Sequence, residues 1–167
     1  LLSKYTMALI FLCFLLYLLF SKEDRFWLTK KEPYLAVIIS LLIFSPVIIW
    51  NSQHDWVTIR HTMGQVHVEK GPVLSIGSAV EFLGSQFGVL TPFIFLVVIY
   101  AILKTGIIGF RQKQRDYLFL FFTSLPVLLF FGAKSLQAEV EANWAAPAYF
   151  TAFACIGIYA CPVMPSN

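Results

Sequence analysis

Asn51-Ser-Gln-His54-Asp55-Trp56 is the densest chemistry-bearing string in this sequence, and it directly follows Pro46 and Trp50 at the end of an apolar run. A histidine beside an aspartate at a water boundary can orient a phosphate, bind a metal, or act as acid or base. The same string also reads as a polar helix cap followed by an interfacial tryptophan anchor. Arg60 follows closely, and a cation there can hold an anionic headgroup or simply solvate a loop. Lys4 lies within Leu-Leu-Ser-Lys-Tyr-Thr at the mouth of the first apolar run. A lysine so placed costs free energy unless it pairs or snorkels, so it is either a lipid-phosphate contact or a snorkelling side chain. Asn143 and Trp144 close the string Glu139-Val-Glu-Ala-Asn-Trp, just before the last apolar run. The two glutamates, at i and i+2, point apart on a helix or share one face of an extended segment. That segment is either an acceptor or metal site, or a solvated loop with a belt tryptophan.

Other chemistries lack their signatures. The spacing His54-x6-His61-x5-His67 fits neither a helical i,i+4 pair nor a zinc frame, so no metal site is assigned. The sequence holds no GxGxxG, P-loop, GxSxG or HExxH string. Cys13, Cys155 and Cys161 lie inside or beside apolar runs, none in a CxxC, and read as buried thiols.

The elements that must carry these residues are membrane helices. Hydrophobic residues make up 59% of the 167 and charged residues only 13%, with a mean hydropathy of +0.77. A soluble domain runs nearer 45–50% apolar and about 25% charged, so a water-soluble globule and a disordered chain are both excluded. The expected fold is all-α and polytopic, a single transmembrane domain with about five spans near 5–20, 34–50, 87–103, 117–132 and 145–161, with a helical lead-in from Ala79 before the third. Pro46, Pro92, Pro126, Pro147 and Pro162 fall in or at the ends of these spans. The loops Ser21–Pro33 and Lys104–Asp116 together hold eight of the twelve Lys and Arg. The positive-inside rule places those two loops in the cytoplasm and the loops 51–86 and 133–144 outside. All three histidines then lie on the outer side. The net charge of +3 is too dispersed for a nucleic-acid surface.

Several strings carry a resemblance: Ser3-Lys-Tyr-Thr6, Glu32-Pro-Tyr-Leu-Ala36, Phe44-Ser-Pro-Val-Ile-Ile-Trp-Asn-Ser-Gln-His-Asp-Trp56, Glu81-Phe-Leu-Gly-Ser-Gln86, Leu90-Thr-Pro92 and Glu141-Ala-Asn-Trp-Ala-Ala-Pro-Ala-Tyr149. The series resembles the bacterial GT-C membrane glycosyltransferases of the dolichyl-phosphate-mannose protein mannosyltransferase type, which are glycosyltransferase family 39-like. The resemblance implies a multi-pass protein of the bacterial inner (cytoplasmic) membrane. It would move a sugar from a polyprenyl-phosphate carrier to a lipid or protein acceptor at the outer face, by direct displacement with inversion. Lys4 is then implied as a lipid-phosphate contact. Asn51, His54, Asp55 and Trp56 are implied to line the outer cavity, with Asn143 and Trp144 near it and Arg60 as a second cation. No cofactor is called for, and a divalent metal is left open. The family's acidic loop lies between its first two spans, whereas this chain opens on Leu1, already hydrophobic, and reads as a C-terminal-side fragment without the base. No residue is assigned as catalytic. A non-catalytic membrane scaffold or truncated remnant is the alternative. A transporter subunit fits less well, because the apolar blocks hold almost no ionisable residues near the midplane.

The orientation is directly testable. Cysteine placed at residue 54 is expected to react with a membrane-impermeant thiol reagent added to intact cells; reaction only after permeabilisation would invert the topology.

Overall fold

The computed structural model describes residues 5–60 and 75–160, apart from the side chains of Tyr5 and Ala160. Lys4, His61, His67, Glu69, Lys70, Cys161 and Pro162 lie outside the described residues. The chain is all-α, with no strand among the described residues. Its helices are α1 (Leu9–Phe20), entered through a 3-10 turn at Tyr5–Ala8, α2 (Glu32–Gln53), α3 (Ile76–Leu90), α4 (Pro92–Gln112), α5 (Arg115–Ser135) and α6 (Ala146–Ala160). Two further 3-10 turns, Arg25–Thr29 and Ala142–Ala145, precede α2 and α6. By length and composition α2, α4 and α5 suffice to cross a bilayer, and Thr6–Phe20 and Ile76–Leu90 are shorter apolar helices.

The boundaries follow local chemistry. Pro33 stands in the first turn of α2 and Pro92 opens α4, positions where the missing N–H costs nothing. Between α3 and α4 the chain turns at Thr91, whose φ of 63° ends one helix while its hydroxyl caps the next. The expected third block, 87–103, straddles this break, and the lead-in is a helix of its own. Ser75 caps α3 by accepting from the Ser78 amide, and its own amide donates to the Leu136 carbonyl at 2.8 Å, tying α3 to the end of α5. Pro46 lies inside α2, which runs on through it. A proline leaves the carbonyl four residues back without its helical donor; here that is Leu42 O, and it accepts from the Ser45 hydroxyl at 2.7 Å. In hydrocarbon such internal satisfaction is required.

The centre is formed by α4, α5 and α6, with α1 against α5, and α3 against α4 and α5. Ala145, Ala148, Ala152 and Cys155 are fully buried at helical spacing along α6 and the turn before it, where they meet Val98 and Ile102 of α4 and Val127 and Phe131 of α5. Small residues permit this approach. Two hydroxyl pairs bridge helices: Thr105 with Tyr159 at 3.2 Å and Ser124 with Thr151 at 2.7 Å. α4 and α5 also approach closely; they are joined through only Lys113 and Gln114, Lys113 being left-handed. A Cβ on Gly106 would collide with the Phe121 ring, and one on Gly109 would stand 3.0 Å from the Leu118 amide nitrogen. Cys13 and Cys155 are buried free thiols. By contrast α2 stands off: only Asn51 among its residues is buried, and it packs chiefly on the 25–29 turn.

Gly106→Leu is expected to destabilise the bundle by about 2 kcal/mol through overpacking. Gly88→Ala, where nothing lies within 4 Å of the added Cβ, is expected to hold or gain up to about 1 kcal/mol in helix propensity. Unfolding of the two variants in detergent, side by side, checks both.

Candidate functional site

The sequence-predicted residues fall into two groups. The first sits where α2 ends. Asn51 is 2% exposed, and its main-chain carbonyl accepts from the amides of His54 and Trp56 at 3.1 and 2.8 Å. Its side-chain oxygen accepts from the Thr58 amide at 3.3 Å, and its Nδ2 donates to Val47 O at 2.9 Å. Asn51 therefore builds the turn and presents the three residues after it. His54 stacks on Trp50 with ring centroids 4.2 Å apart, and its Nδ1 lies 2.8 Å from Trp50 O, which leaves Nε2 as the outward nitrogen. Asp55 and Trp56 both have positive φ, 53° and 56°. Two successive non-glycine residues in that region are uncommon, and for a bulky side chain such as Trp56 the conformation is costly. A backbone held in this state persists only where its surroundings over-determine it, as the Asn51 bonds do here. After it, residues 57–60 return to helix, with Arg60 exposed and its amide on Trp56 O at 2.8 Å.

The second group surrounds the turn Ala142–Ala145. Asn143 is exposed and Trp144 half-buried, its ring 6.0 Å from that of Phe131. This turn is fixed by Gln86 of α3, which is 1% exposed. Gln86 Nε2 donates to Ala142 O at 3.3 Å, while Tyr149 Oη donates to Gln86 Oε1 at 2.5 Å. A buried amide so engaged specifies the register of α3 against the turn and α6. Beside it opens a cavity of about 450 Å³, lined by Ser78, Glu81, Phe82 and Ser85 of α3 and by Glu139–Ala142 and Trp144. Three exposed carboxylates, two hydroxyls and an indole make a pocket suited to a hydroxyl-rich or cationic group and hostile to a phosphate.

Sequence reasoning assigned no role to Glu81, Ser78, Ser85, Gln86 or Tyr149. The signal was present, since Glu81–Gln86 and Asn143–Tyr149 are two of the family-like strings, but nothing in either string shows that they meet. No described hydrogen bond or ring contact joins the Asn51–Arg60 group to the Trp144 group. Among the described residues, no three His, Cys, Asp or Glu side chains converge to hold a metal.

The strained turn generates a prediction. Asp55→Gly should relieve the backbone and stabilise the protein by about 0.5–1 kcal/mol. Thermal unfolding measures that gain. A simultaneous loss of the full-length protein's function would mark the carboxylate as functional, and unchanged function would make it a turn residue alone.

Residues 1–50 match the family model described as dolichyl-phosphate-mannose-protein mannosyltransferase. Over 120 residues the chain is 33% identical to the lipid A galacturonosyltransferase RgtD of Rhizobium johnstonii, a match covering 71% of this chain and 24% of that protein. The chain thus spans about a quarter of the length of this relative. No solved structure matches it significantly. The family match takes in α1 and most of α2 with the strings Ser3–Thr6 and Glu32–Ala36, and the two matches together show the chain to be similar to the GT-C membrane glycosyltransferases of the dolichyl-phosphate-mannose-protein mannosyltransferase type.

Proposed function

We propose that this chain forms part of an inner-membrane transferase that moves a sugar from a polyprenyl-phosphate carrier to a lipid or protein acceptor at the outer face. The observation that carries the reading is the 33% identity to a lipid A galacturonosyltransferase over 71% of the chain. The site chemistry supports it. In the displacement, the acceptor hydroxyl oxygen bonds to the anomeric carbon as the bond from that carbon to the phosphate oxygen breaks. The hydroxyl proton passes to a base, and the electron pair of the broken bond leaves with the lipid phosphate. Electrostatics divides the labour: cations hold the phosphate and carboxylates hold hydroxyls. Lys4 and Arg60 are the proposed phosphate contacts. His54, presenting Nε2, and Asp55 are proposed at the cavity wall, with Asn51 holding their turn. The carboxylate-lined cavity beside Trp144 is the proposed seat of the hydroxyl-rich partner, with the indole as a stacking platform and Asn143 at its edge. The base is assigned to no residue of this chain.

The loops 51–86 and 133–144 are proposed to face outward together. Both groups then address the same aqueous side, since α2 and α5 each start at a basic loop and end at one of them.

The test is turnover of a polyprenyl-phosphate-linked sugar by the full-length protein. Arg60→Ala and His54→Ala are expected to lower turnover roughly ten- to hundred-fold, the size of a lost charge-assisted hydrogen bond. Trp144→Ala is expected to raise KM for the acceptor more than it lowers kcat. Unchanged turnover in all three variants would overturn the site and return these residues to structural roles, whereas no turnover by the full-length protein would favour the remnant.

A further inference from the structure

Lys104 reads as the head of a basic loop, yet α4 runs on to Gln112 and carries it inside the helix, two residues past the midpoint of Pro92–Gln112. Its neighbour α5 gives the same depth. A Cβ on Gly106 would meet Phe121 and one on Gly109 would meet Leu118. The antiparallel pairing therefore sets Lys104 level with Thr123, two residues from the midpoint of Arg115–Ser135. Both helices are long and apolar enough to cross a bilayer. The Lys104 backbone then lies about 3 Å from the centre of its own span, at a rise of about 1.5 Å per residue. A charge at that depth is costly and is normally paired. Lys104 is half-buried, and its Nζ sits 4.6 Å from the centre of the Tyr159 ring of α6 and 5.5 Å from that of Tyr100, one turn nearer the start of α4. The Thr105 hydroxyl pairs with Tyr159 Oη and holds that ring in place. Cation–π attraction offsets part of the cost but accepts no N–H bond at full strength. Among the described residues, no carboxylate stands within ion-pair distance of Nζ.

The helices described here carry no carboxylate at this depth. Glu32 and Asp116 stand in the first turns of α2 and α5, and Glu81 lines the cavity beside Trp144. A second copy of these helices offers the same set, so it does not supply the partner. Depth excludes a lipid phosphate: headgroups lie about 15 Å from the bilayer centre, and the two rings hold Nζ near mid-depth. Lys104 lines neither the polar cavity beside Trp144 nor the apolar groove between α1 and α2. The flank of α4 beside it is open. Tyr100, Leu103 and Ile107 are exposed and recur at the three- and four-residue spacing of a helix-packing seam. Lys104 flanks that seam, where a charged side chain reaches across to a partner helix. The chain spans 24% of the length of the relative it matches. We infer that this flank receives a membrane helix of the full-length protein from outside residues 1–167, and that the helix presents an aspartate or glutamate to Lys104 at mid-depth. The carboxylate accepts from the ammonium that the tyrosine rings hold in place, and the pair sets the register in which the two helices meet. The inference rests on the chain being part of a longer membrane protein and is independent of what that protein transfers.

A photo-reactive residue at position 103 or 107 of the full-length protein, in its native membrane, tests the surface. Illumination is expected to join it to an apolar peptide of the same polypeptide, outside residues 1–167, that contains an aspartate or glutamate. Adducts with lipid alone, with residues 1–167, or with a separate polypeptide would overturn the inference. Lys104→Met tests the charge through the sign of its effect on unfolding of the full-length protein in detergent. Methionine matches lysine in helix propensity and is the more favourable in hydrocarbon, so with no carboxylate opposite it the midpoint rises. With the pair present, the stranded carboxylate is expected to lower the midpoint by about 5 °C or more. Converting the crosslinked helix's carboxylate to its amide in the Lys104→Met background should recover most of that loss. A midpoint that rises or stays level, or a loss that the second change leaves in place, sinks the proposal. Sugar turnover is read separately: its absence from the wild-type protein would refute the proposed function and leave the helix contact standing.

Discussion

Helix α5 lies close against α4 because Gly106 and Gly109 offer it backbone where side chains would stand. Inside a bilayer this matters more than in water, since lipid is as apolar as leucine and gives helices no hydrophobic reason to associate. What remains is contact at short range and hydrogen bonds between helices. The alanine face of α6 and the Thr105–Tyr159 and Ser124–Thr151 pairs provide both. Once α4, α5 and α6 are so locked, Phe131 is fixed, the 142–145 turn rests on it through Trp144, and Gln86 and Tyr149 complete the frame of the polar cavity. The site geometry is thus a consequence of where two side chains are missing.

Much of this architecture was legible in composition and charge. Apolar blocks of 16 or 17 residues and alternating basic loops describe a helical membrane protein before any coordinates. The residues were less readable in their roles. Asn51 reads as a cavity residue; in the fold its amide and carbonyl are engaged with the turn that carries His54, Asp55 and Trp56. Thr91-Pro92 reads as a kink near a span's start; it is a full break, because Thr91 adopts a positive φ that no periodicity signals. Gln86 shows why the second group escaped notice. Its partners lie 56 and 63 residues away, and a helix that is apolar all round gives no phase from which to deduce which face meets which.

The two cavities divide the molecule chemically. One is carboxylate-lined and lies past the end of α5; the other, walled by Phe14, Trp27 and Phe119, is mostly apolar and lies at the start of the same helix. α5 bears on both, which makes it the ruler that separates them. The helix that touches least, α2, carries the strained His54–Trp56 turn at its far end. A strained element on a loosely held helix needs its local bonds, and Asn51 with the Trp50–His54 stack supplies them.

The two-residue link between α4 and α5 bears on how the protein is made. A connection through Lys113 and Gln114 alone leaves no slack for one helix to cross the membrane while the other waits. α4 and α5 therefore behave as one hairpin, paired along Gly106 and Gly109. Arg111, Lys113 and Arg115 cluster at its bend. Synthesis order then becomes assembly order: the hairpin precedes α6, which closes its alanine face onto a seam that already exists.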